Sequence, residues 1–263
     1  MNKTILFLIV FSFVFTPVTI AATAKEKGRQ IAEEADRRDL GWKDLRSAST
    51  MTLRNTQGQE SKRSLRQNAY EINKKGQGDK SLIIFDSPKD IQGTALLSHT
   101  KILEADDQWL FLPSLKRVKR ISSKNKSGPF VGSEFAYEDL LSQEVDKYDH
   151  TFLRTEKCGD WTCFVIERIP LYEDSGYTKQ VVWIDQDEYR VTRVDFYDRK
   201  NSLLKTLTYQ GYKKHKDKFW RPDKMVMKNH QNGKTTDLDF SNWEFSLGQT
   251  EAQFTPARLK RAR

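Results

Sequence analysis

Short segments with strand-type patterning follow one another along most of this chain, and turn signals separate them. Between Ser49 and Phe245 apolar residues repeatedly alternate with polar ones, and pairs such as Gln57-Gly58 and Asn232-Gly233 interrupt the runs. Alternation with a period of two predicts half-buried strands, and Asn-Gly between two such runs predicts a hairpin. The chain is therefore expected to form a long antiparallel meander. A sheet of that size must curl or close to bury one face and protect its edges.

The strand pattern can be assigned segment by segment, and one helix precedes it. Residues Lys25 to Leu40 predict an amphipathic helix with Ile31 on its apolar side, and Gly41 fits a helix stop. The sequence contains no internal repeat or low-complexity linker, so residues 25–263 are expected to form one domain. The predicted strands are Ser49–Asn55, Ser61–Ile72, Ser81–Phe85, Thr94–Leu103, Gln108–Leu112, Arg117–Ile121, Val145–Glu156, Cys163–Ile169, Tyr177–Asp185, Arg190–Asp198, Leu203–Tyr212, Phe219–Asn229 and Thr235–Phe245.

A second, shorter helix is predicted in the middle of the chain. Ser133 is placed as its N-cap, and Glu134 would complement the positive end of the helix dipole. Phe135, Leu140 and Leu141 would give this helix an apolar side. Because it lies between strands of a curled sheet, it is expected to plug the concave face.

The first 24 residues have the features of a cleaved signal peptide. Lys3 precedes an apolar run from Ile5 to Phe15, and small residues including Ala22 and Ala24 follow. The run is shorter than the about 20 residues that a membrane span needs. Cleavage is expected after Ala22 or Ala24, and an uncleaved anchor is the alternative. No cysteine stands directly after the run, which argues against a lipid anchor.

The net charge indicates which kind of partner the chain would bind. The formal charge is +9, and removal of residues 1–24 lowers it to +8 because only Lys3 is lost. A basic protein favours anionic partners such as lipid headgroups, lipid A phosphates or nucleic acid. Export makes nucleic acid the weakest of these. A basic surface with no specific anion site is the alternative interpretation.

The two cysteines are close in sequence. Cys158 and Cys163 bracket a turn at Gly159-Asp160 between two predicted strands. In an oxidising compartment such a pair predicts a disulfide, worth about 2 kcal/mol on the chain-entropy model. A redox site is the alternative, but the spacing is not Cys-x-x-Cys.

The most distinctive local sequence runs from Gly93 to Leu141, and it resembles a known family. In this combination of short motifs the chain is similar to the exported outer membrane lipoprotein-sorting protein family, related to LolA and LolB. The matching residues are Gly93-Thr94, Asp107 to Leu110, Leu112-Pro113, Leu115 to Val118, Arg120 to Ser122, Gly132-Ser133, Phe135 and Tyr137 to Leu140.

The resemblance implies a fold and a class of function. It implies a strongly curved, open antiparallel sheet, like an unclosed barrel, with short helices on the concave face. The better-known relatives hold acyl chains between sheet and helices, and carry lipoproteins through the periplasm or receive them at the outer membrane. Some members are associated with membrane exporters, so another lipid cargo is also compatible with the family.

A carrier of this kind needs an apolar cavity. Around the short helix, core and cavity wall are about equally compatible with the residues. For the two candidates on one strand face, a plain core is the stronger alternative. The cavity candidates are Trp109, Phe111, Phe130, Val131, Phe135, Tyr137, Leu140 and Leu141.

The densest basic patch comprises Lys116, Arg117, Lys119 and Arg120. On a strand, Arg117 and Lys119 would face one way and Arg120 the other. The patch is expected to contact anionic headgroups or a partner protein. The alternative is a solvated edge strand that Lys and Arg protect against aggregation.

Enzyme signatures are poor. The histidines, His99, His150, His215 and His230, are scattered without zinc-type spacing, and the sequence has no phosphate-binding loop and no nucleophile elbow. Glu138 and Asp139 are adjacent, so on a helix they would point apart, and an anchoring role is favoured over catalysis. No cofactor or metal is expected. A catalytic site assembled from distant residues, as in an envelope hydrolase, is the remaining alternative.

These features predict a soluble carrier or receptor in the periplasm of a Gram-negative bacterium. It would bind lipid or lipoprotein acyl chains without covalent chemistry, touch the membrane surface transiently, and exchange cargo with an inner-membrane exporter or an outer-membrane receptor. The main alternative is an envelope protein-interaction or sensing module with the same fold and no cargo.

Overall fold

The structure is a computed structural model, and it describes residues 22–72, 74, 76–102 and 104–261. Residues 1–21, which hold most of the predicted signal peptide, lie outside the described residues, as does Leu103 at the end of a predicted strand. Within the described residues, no helix has the length and apolar character that crossing a membrane requires.

Helix α1 spans Ala24–Asp39 and confirms the first predicted helix. Thr23 caps it, because its Oγ1 accepts a hydrogen bond from the Glu26 backbone N–H at 3.2 Å. The Glu26 carboxylate accepts one in return from the Thr23 backbone N–H at 2.7 Å. This reciprocal pair satisfies two donors that a helix start leaves free.

Within the described residues, fifteen strands and one further α-helical turn follow α1, together with short 3₁₀ turns. The strands and the α-helical turn are β1 Asp44–Arg54, β2 Glu60–Tyr70, β3 Gln77–Ser87, β4 Ala95–Lys101, β5 Asp107–Leu112, β6 Arg117–Ile121, β7 Tyr148–Cys158, β8 Trp161–Pro170, β9 Tyr177–Asp185, β10 Val191–Asp198, β11 Leu203–Gln210, β12 Lys213–His215, β13 Phe219–Arg221, β14 Lys224–Asn229, β15 Thr235–Phe245 and α2 Pro256–Leu259.

Thirteen of these strands form one antiparallel sheet, in the order β6-β5-β4-β3-β2-β1-β15-β14-β11-β10-β9-β8-β7. Two meanders meet where β1 pairs with β15, for example Met51 opposite Leu238. Strands β6 and β7 are the two ends of this order, so the sheet is open. Ile121 on β6 and Ile166 on β8 nevertheless belong to one buried cluster. Strands near opposite ends share a core only if the sheet curls, which confirms the predicted curved, open sheet.

The two faces of the sheet are buried by different means. The concave face carries the main core, which includes Met51, Phe85, Leu96 and Met227, and α1 adds Ile31 to it. On part of the convex face the C-terminal segment places Phe254 and Leu259 against Ala95, Leu97 and Ile84. Burial on both faces explains why some strands read as continuous apolar runs.

The connection from β6 to β7 differs from the prediction. No α-helix begins at Ser133; instead 3₁₀ turns form at Phe130–Gly132 and Tyr137–Leu140. The Ser133 hydroxyl donates to the Phe130 carbonyl oxygen at 2.8 Å, so Ser133 is not an N-cap. Gly132 at φ 77° and the preceding Pro129 are unfavourable for a continuous helix here.

Several predicted strand limits were also wrong. The segment Phe219–Asn229 is two strands, because Pro222 lies between β13 and β14. The segment Leu203–Tyr212 ends at Gln210, and β12 and β13 form a separate small hairpin. The segment from Val145 begins with a 3₁₀ turn before β7.

Candidate functional site

A cleft of about 1080 Å³ lies between the concave face of the sheet, α1 and the connection from β6 to β7. Its volume is slightly larger than the range for small-molecule pockets, about 300–1,000 Å³. The sheet contributes buried branched side chains to its lining, and Leu140 and Leu141 contribute from the connection. The apolar sheet residues that line it include Ile83, Ile166, Val182, Ile184 and Leu238.

Helix α1 forms one wall because it packs tightly on β7. A Cβ on Gly28 would lie 2.6 Å from the Phe152 backbone nitrogen, so only glycine permits this approach. The Lys27 ammonium lies 3.6 Å from the centre of the Phe152 ring, a cation–π contact. At the other end of the helix, Arg38 donates to the Asp187 carbonyl oxygen at 2.7 Å.

The β12–β13 hairpin lies at the end of the cleft next to the C-terminal end of α1. Its Arg221 guanidinium bonds the Asp39 carboxylate at 2.6 Å, and Lys218 donates to the Leu40 carbonyl oxygen. Trp220 of the hairpin lines the cleft, and its ring lies 4.4 Å from the guanidinium carbon of Arg190. The hairpin therefore joins the helix wall to the sheet wall at this end.

Residues 126–142 of the β6–β7 connection, called the plug below, fill another part of the concave face. Phe130 and Phe135 are each only 1% exposed. The Phe130 backbone N–H donates to the Phe135 carbonyl oxygen at 2.7 Å, which closes the segment on itself. From β5, Gln108 donates to the Tyr137 carbonyl oxygen at 2.9 Å.

Asp139 anchors the plug to the opposite half of the sheet. Its carboxylate accepts hydrogen bonds from the Lys205 ammonium at 2.6 Å and the Tyr177 hydroxyl at 2.7 Å. It also accepts from the Ala136 backbone N–H at 2.6 Å. The side chains of Lys205 and Asp139 are 4% and 1% exposed, so this is a fully desolvated ion pair.

Glu138 binds a different part of the fold from Asp139. Its carboxylate accepts hydrogen bonds from the Gly176 backbone N–H at 2.9 Å and from the Ser175 hydroxyl at 3.2 Å. Burial, and then the adjacent Asp139 carboxylate, raise the pKa of Glu138 to about 7. Both acids of the predicted Glu138-Asp139 pair thus bind elements of the fold.

Carboxylates with raised pKa values line part of the cleft. Burial raises the pKa of Glu144 to about 7, with further contributions from the nearby Asp79 and Asp36 carboxylates. Burial also raises the pKa of Asp79 to about 6, and the pKa of Asp36 shifts upward for the same reason. The cleft therefore has an apolar sheet wall and an acidic flank whose carboxyl groups have raised pKa values.

The predicted cavity residues fall into three groups. Phe135, Leu140 and Leu141 line the cleft. Phe130, Val131 and Tyr137 belong to the plug and pack against the concave core. Trp109 and Phe111 lie on the convex face with Phe254 and Leu259, so neither lines the cleft.

The predicted basic patch lies at one end of the sheet. Arg117, Lys119 and Arg120 are exposed on β6, the terminal strand, and Lys116 is in the turn before it. Arg120 pairs with the Asp107 carboxylate. Register places Lys119 opposite Leu110 and Arg120 opposite Trp109, so the two basic side chains face opposite ways. This placement fits a charged edge strand.

The disulfide predicted between Cys158 and Cys163 is present, with Cα atoms 5.9 Å apart. It joins the ends of β7 and β8, where Cys158 and Trp161 are paired. Cys163 is fully buried on the convex face with Val165 and Trp183. The bond therefore staples a hairpin at the second end of the sheet.

The histidines do not converge on one site. His99 and His150 each contact a backbone carbonyl oxygen, of Phe254 at 2.7 Å and of Val145 at 3.0 Å. His230 contacts the Thr206 hydroxyl at 2.8 Å. Among the residues that the structure describes, no group of three or more His, Cys, Asp or Glu side chains is arranged to hold a metal ion.

Some residues of the site carried no signal in the sequence. Gly28 looks like a weak helix former, and only the structure shows its close approach to β7. Lys205 sits in an ordinary strand pattern, and nothing local indicates that its ammonium reaches the plug. The turn signals at Pro129 and Gly132 could have argued against the predicted helix.

Comparison with known proteins agrees with this architecture. A domain from Vibrio parahaemolyticus named for outer membrane lipoprotein sorting is 53% identical, with a TM-score of 0.88 over 90% of this chain and 100% of that one. A DUF1329 family protein from Desulfovibrio piger is 29% identical, with a TM-score of 0.85 over 90% and 100% of the two chains. A LolA superfamily protein from Nitrosomonas europaea shares the fold at 22% identity, with a TM-score of 0.70 over 90% and 99%.

Comparison with family models and with curated proteins gives less information about the family of this chain. A family model described only as an uncharacterized protein matches residues 77–261. No curated protein matches the chain. The 53% identity to the Vibrio domain, over its whole length, is the finding that establishes the family. The chain belongs to the outer membrane lipoprotein-sorting protein family.

Proposed function

We propose that the protein is a periplasmic carrier or receptor that holds an acyl chain of a lipid or lipoprotein in the cleft. The observation that carries the proposal is the cleft itself, about 1080 Å³ between α1, the plug and the apolar concave face. Each methylene that leaves water for such a wall contributes about 0.8 kcal/mol. Binding would therefore need no covalent step and no cofactor.

The name of the Vibrio relative supports the same class of cargo. The N-terminal sequence supports export, because residues 1–24 have the order of charge, apolar run and small residues that a signal peptide needs. The proposed partners are a donor and an acceptor of the cargo, namely an inner-membrane exporter or an outer-membrane receptor, with transient contact at the membrane surface. Nucleic acid is not among them.

Substitution in the wall of the cleft tests the proposal. Leu140→Asp places a carboxylate against the acyl chain, and we expect it to weaken binding of a fluorescent fatty acid by about tenfold or more, since an unpaired polar group in an apolar site costs about 1–3 kcal/mol. Leu171→Asp is the matched control, because Leu171 is 61% exposed and lies outside the cleft lining. Equal affinities for the wild type and folded Leu140→Asp protein would refute the assigned site.

A second candidate function is an interaction module that transports no cargo. The plug favours it, because Phe130 and Phe135 already fill part of the concave face. This candidate predicts that purified protein takes up no acyl ligand but forms a stable complex with an envelope protein. Stoichiometric uptake of an acyl ligand would argue against it.

A further inference from the structure

A second pocket, of about 570 Å³, lies at the ends of β3, β4 and β5, beside the C-terminal segment. Its apolar lining includes Ile84, Phe111 and Pro113. Ile84 and Phe111 both lie opposite Ala95 in the register, which brings them to one face of the sheet. That face is the convex one, so this pocket is separate from the cleft.

Two lysines line the pocket from different parts of the chain. Lys116 comes from the β5–β6 turn and Lys260 from the end of the C-terminal segment. Both side chains belong to exposed residues, and neither makes an ion pair with a carboxylate in the part of the chain that the structure describes. The one acid in the lining, Asp86, is bonded to Arg66 at 2.8 Å. Among the described residues, the pocket therefore combines an apolar floor with two lysines that have no carboxylate partner. This pocket is called the lysine pocket below.

The backbone around the lysine pocket is closely fitted. Lys116 is held at φ 48° and ψ 31°, and its backbone N–H donates to the Pro113 carbonyl oxygen at 3.1 Å. A Cβ on Gly93, which has φ 78°, would lie 3.3 Å from the Pro113 ring. The β3–β4 and β5–β6 turns thus pack against each other and fix the position of Lys116.

The geometry points to a binding site for an anionic single-chain amphiphile, whose phosphate or carboxylate meets Lys116 and Lys260 while its hydrocarbon chain lies along Ile84, Phe111 and Pro113. A volume of about 570 Å³ is within the usual range for ligand pockets. Charge complementarity selects the anionic headgroup, because ammonium groups without a carboxylate partner are free to bond oxyanions. This site lies outside the cleft of the proposed function and does not depend on it.

Calorimetry with short amphiphiles tests the inference. The probes are decyl phosphate, decanoate, neutral decyl maltoside and inorganic phosphate. The test variant is Lys116→Gln/Lys260→Gln, which keeps side-chain length and removes both charges. The matched control is Lys228→Gln/Lys234→Gln on the β14–β15 hairpin, where both lysines are exposed. All measurements are repeated in the Leu140→Asp background, in which the cleft is impaired.

We expect at least one anionic decyl probe to bind. Its affinity should be at least about tenfold weaker in Lys116→Gln/Lys260→Gln, because each charge-assisted hydrogen bond contributes to the binding free energy. The affinity should be unchanged in the control variant. Preference for decyl phosphate or for decanoate would assign the ligand to a single-chain lysophospholipid or to a free fatty acid. Equal affinity in the test variant, equal binding of decyl maltoside, or equal binding of inorganic phosphate would each overturn the inference. Persistence of the site in the Leu140→Asp background separates this result from failure of the cleft.

Discussion

At the residue scale, the ion pair between Lys205 and Asp139 is the connection that holds the plug on the sheet. Lys205 also donates to the Glu134 carbonyl oxygen at 3.0 Å, so one ammonium secures two points of the plug. Both side chains are almost completely buried. Loss of one partner would leave the other charge without compensation in a low-dielectric interior.

Lys205→Met is therefore expected to lower the free energy of unfolding by about 3–5 kcal/mol. Urea unfolding followed by tryptophan fluorescence measures this change. Lys228→Met on the neighbouring β14 is the control, and as an exposed substitution it should change stability by no more than about 0.5 kcal/mol. Similar stabilities for the two variants would mean that the ion pair does not hold the plug.

Glu144 gives the fold a defined pH dependence. Burial raises its pKa from 4.5 to about 7, so the folded state retains a proton that the unfolded state has lost. Stability from this group is fully present below pH 4.5 and is lost as the pH rises to about 7. Between these pH values the free energy of unfolding of the wild type should fall by on the order of 1–2 kcal/mol, after allowance for solvent screening. Glu144→Gln cannot ionise at this position, so its free energy of unfolding should not show this fall.

Urea unfolding at several pH values checks this expectation. Glu173→Gln is the control, because Glu173 is exposed and should leave the wild-type profile intact. If Glu144→Gln and Glu173→Gln give the same pH profile, Glu144 is not the group responsible.

Thr23 bears on where the predicted signal peptide would be cleaved. Its side chain caps α1, so cleavage after Ala22 would keep the cap and cleavage after Ala24 would remove it. Loss of a threonine N-cap costs a helix about 1 kcal/mol. We therefore expect the mature protein to begin at Thr23, which the intact mass of exported protein will show. A mass that begins at Lys25 would contradict this.

At the element scale, α1 forms one wall of the cleft and packs against β7 at Gly28. Gly28→Ala would raise helix propensity in an isolated helix by about 1 kcal/mol. Here the added Cβ would meet the β7 backbone at 2.6 Å, so the helix must move away from the strand. The substitution is expected to lower the free energy of unfolding by about 1–3 kcal/mol and to change acyl binding.

Thermal unfolding together with the fluorescent fatty-acid assay measures both effects. Gln30→Ala provides the comparison, since Gln30 lies on the exposed side of the same helix. An increase in stability for Gly28→Ala would show that α1 does not pack on β7 as closely as described.

The plug also shows why element prediction fails where tertiary contacts decide. A window that contains Phe135, Leu140 and Leu141 resembles a helix with an apolar side. In the fold, Glu138 and Asp139 are bound by Ser175, Tyr177 and Lys205, which lie far along the chain. No local pattern reports those partners, so the 3₁₀ turns could not be predicted from propensity alone.

At the scale of the whole molecule, the architecture was largely predictable and the composition of the site was not. Period-two alternation located most strands. The number of strands then predicted a curved sheet, because so large a sheet must bury one face and protect its edges. The pairing of β1 with β15 joins the beginning and end of the domain, and no adjacent turn indicates it. Alternation also places the side chain of Leu110 on the opposite face of the strand from Trp109 and Phe111, but it does not indicate which face is concave. The convex cover by Phe254 and Leu259 was missed because these residues lie in a short, polar segment.

The same architecture explains how one chain can offer two separate apolar surfaces. The concave face bears the cleft, and the convex face bears the lysine pocket at one end of the strands. The sheet between them is buried on both faces in β3 to β5, where Phe85 and Leu96 face inward and Ile84 and Leu97 face outward. The sheet itself thus separates the two pockets.

Native mass spectrometry, with lipid extraction, on protein exported by its host and purified without detergent distinguishes a carrier from an interaction module. We predict a stoichiometric lipid or acylated peptide that is lost from the Leu140→Asp variant and retained by Leu171→Asp. A protein mass without ligand, together with no uptake of added lipids, would contradict a carrier and favour the interaction module.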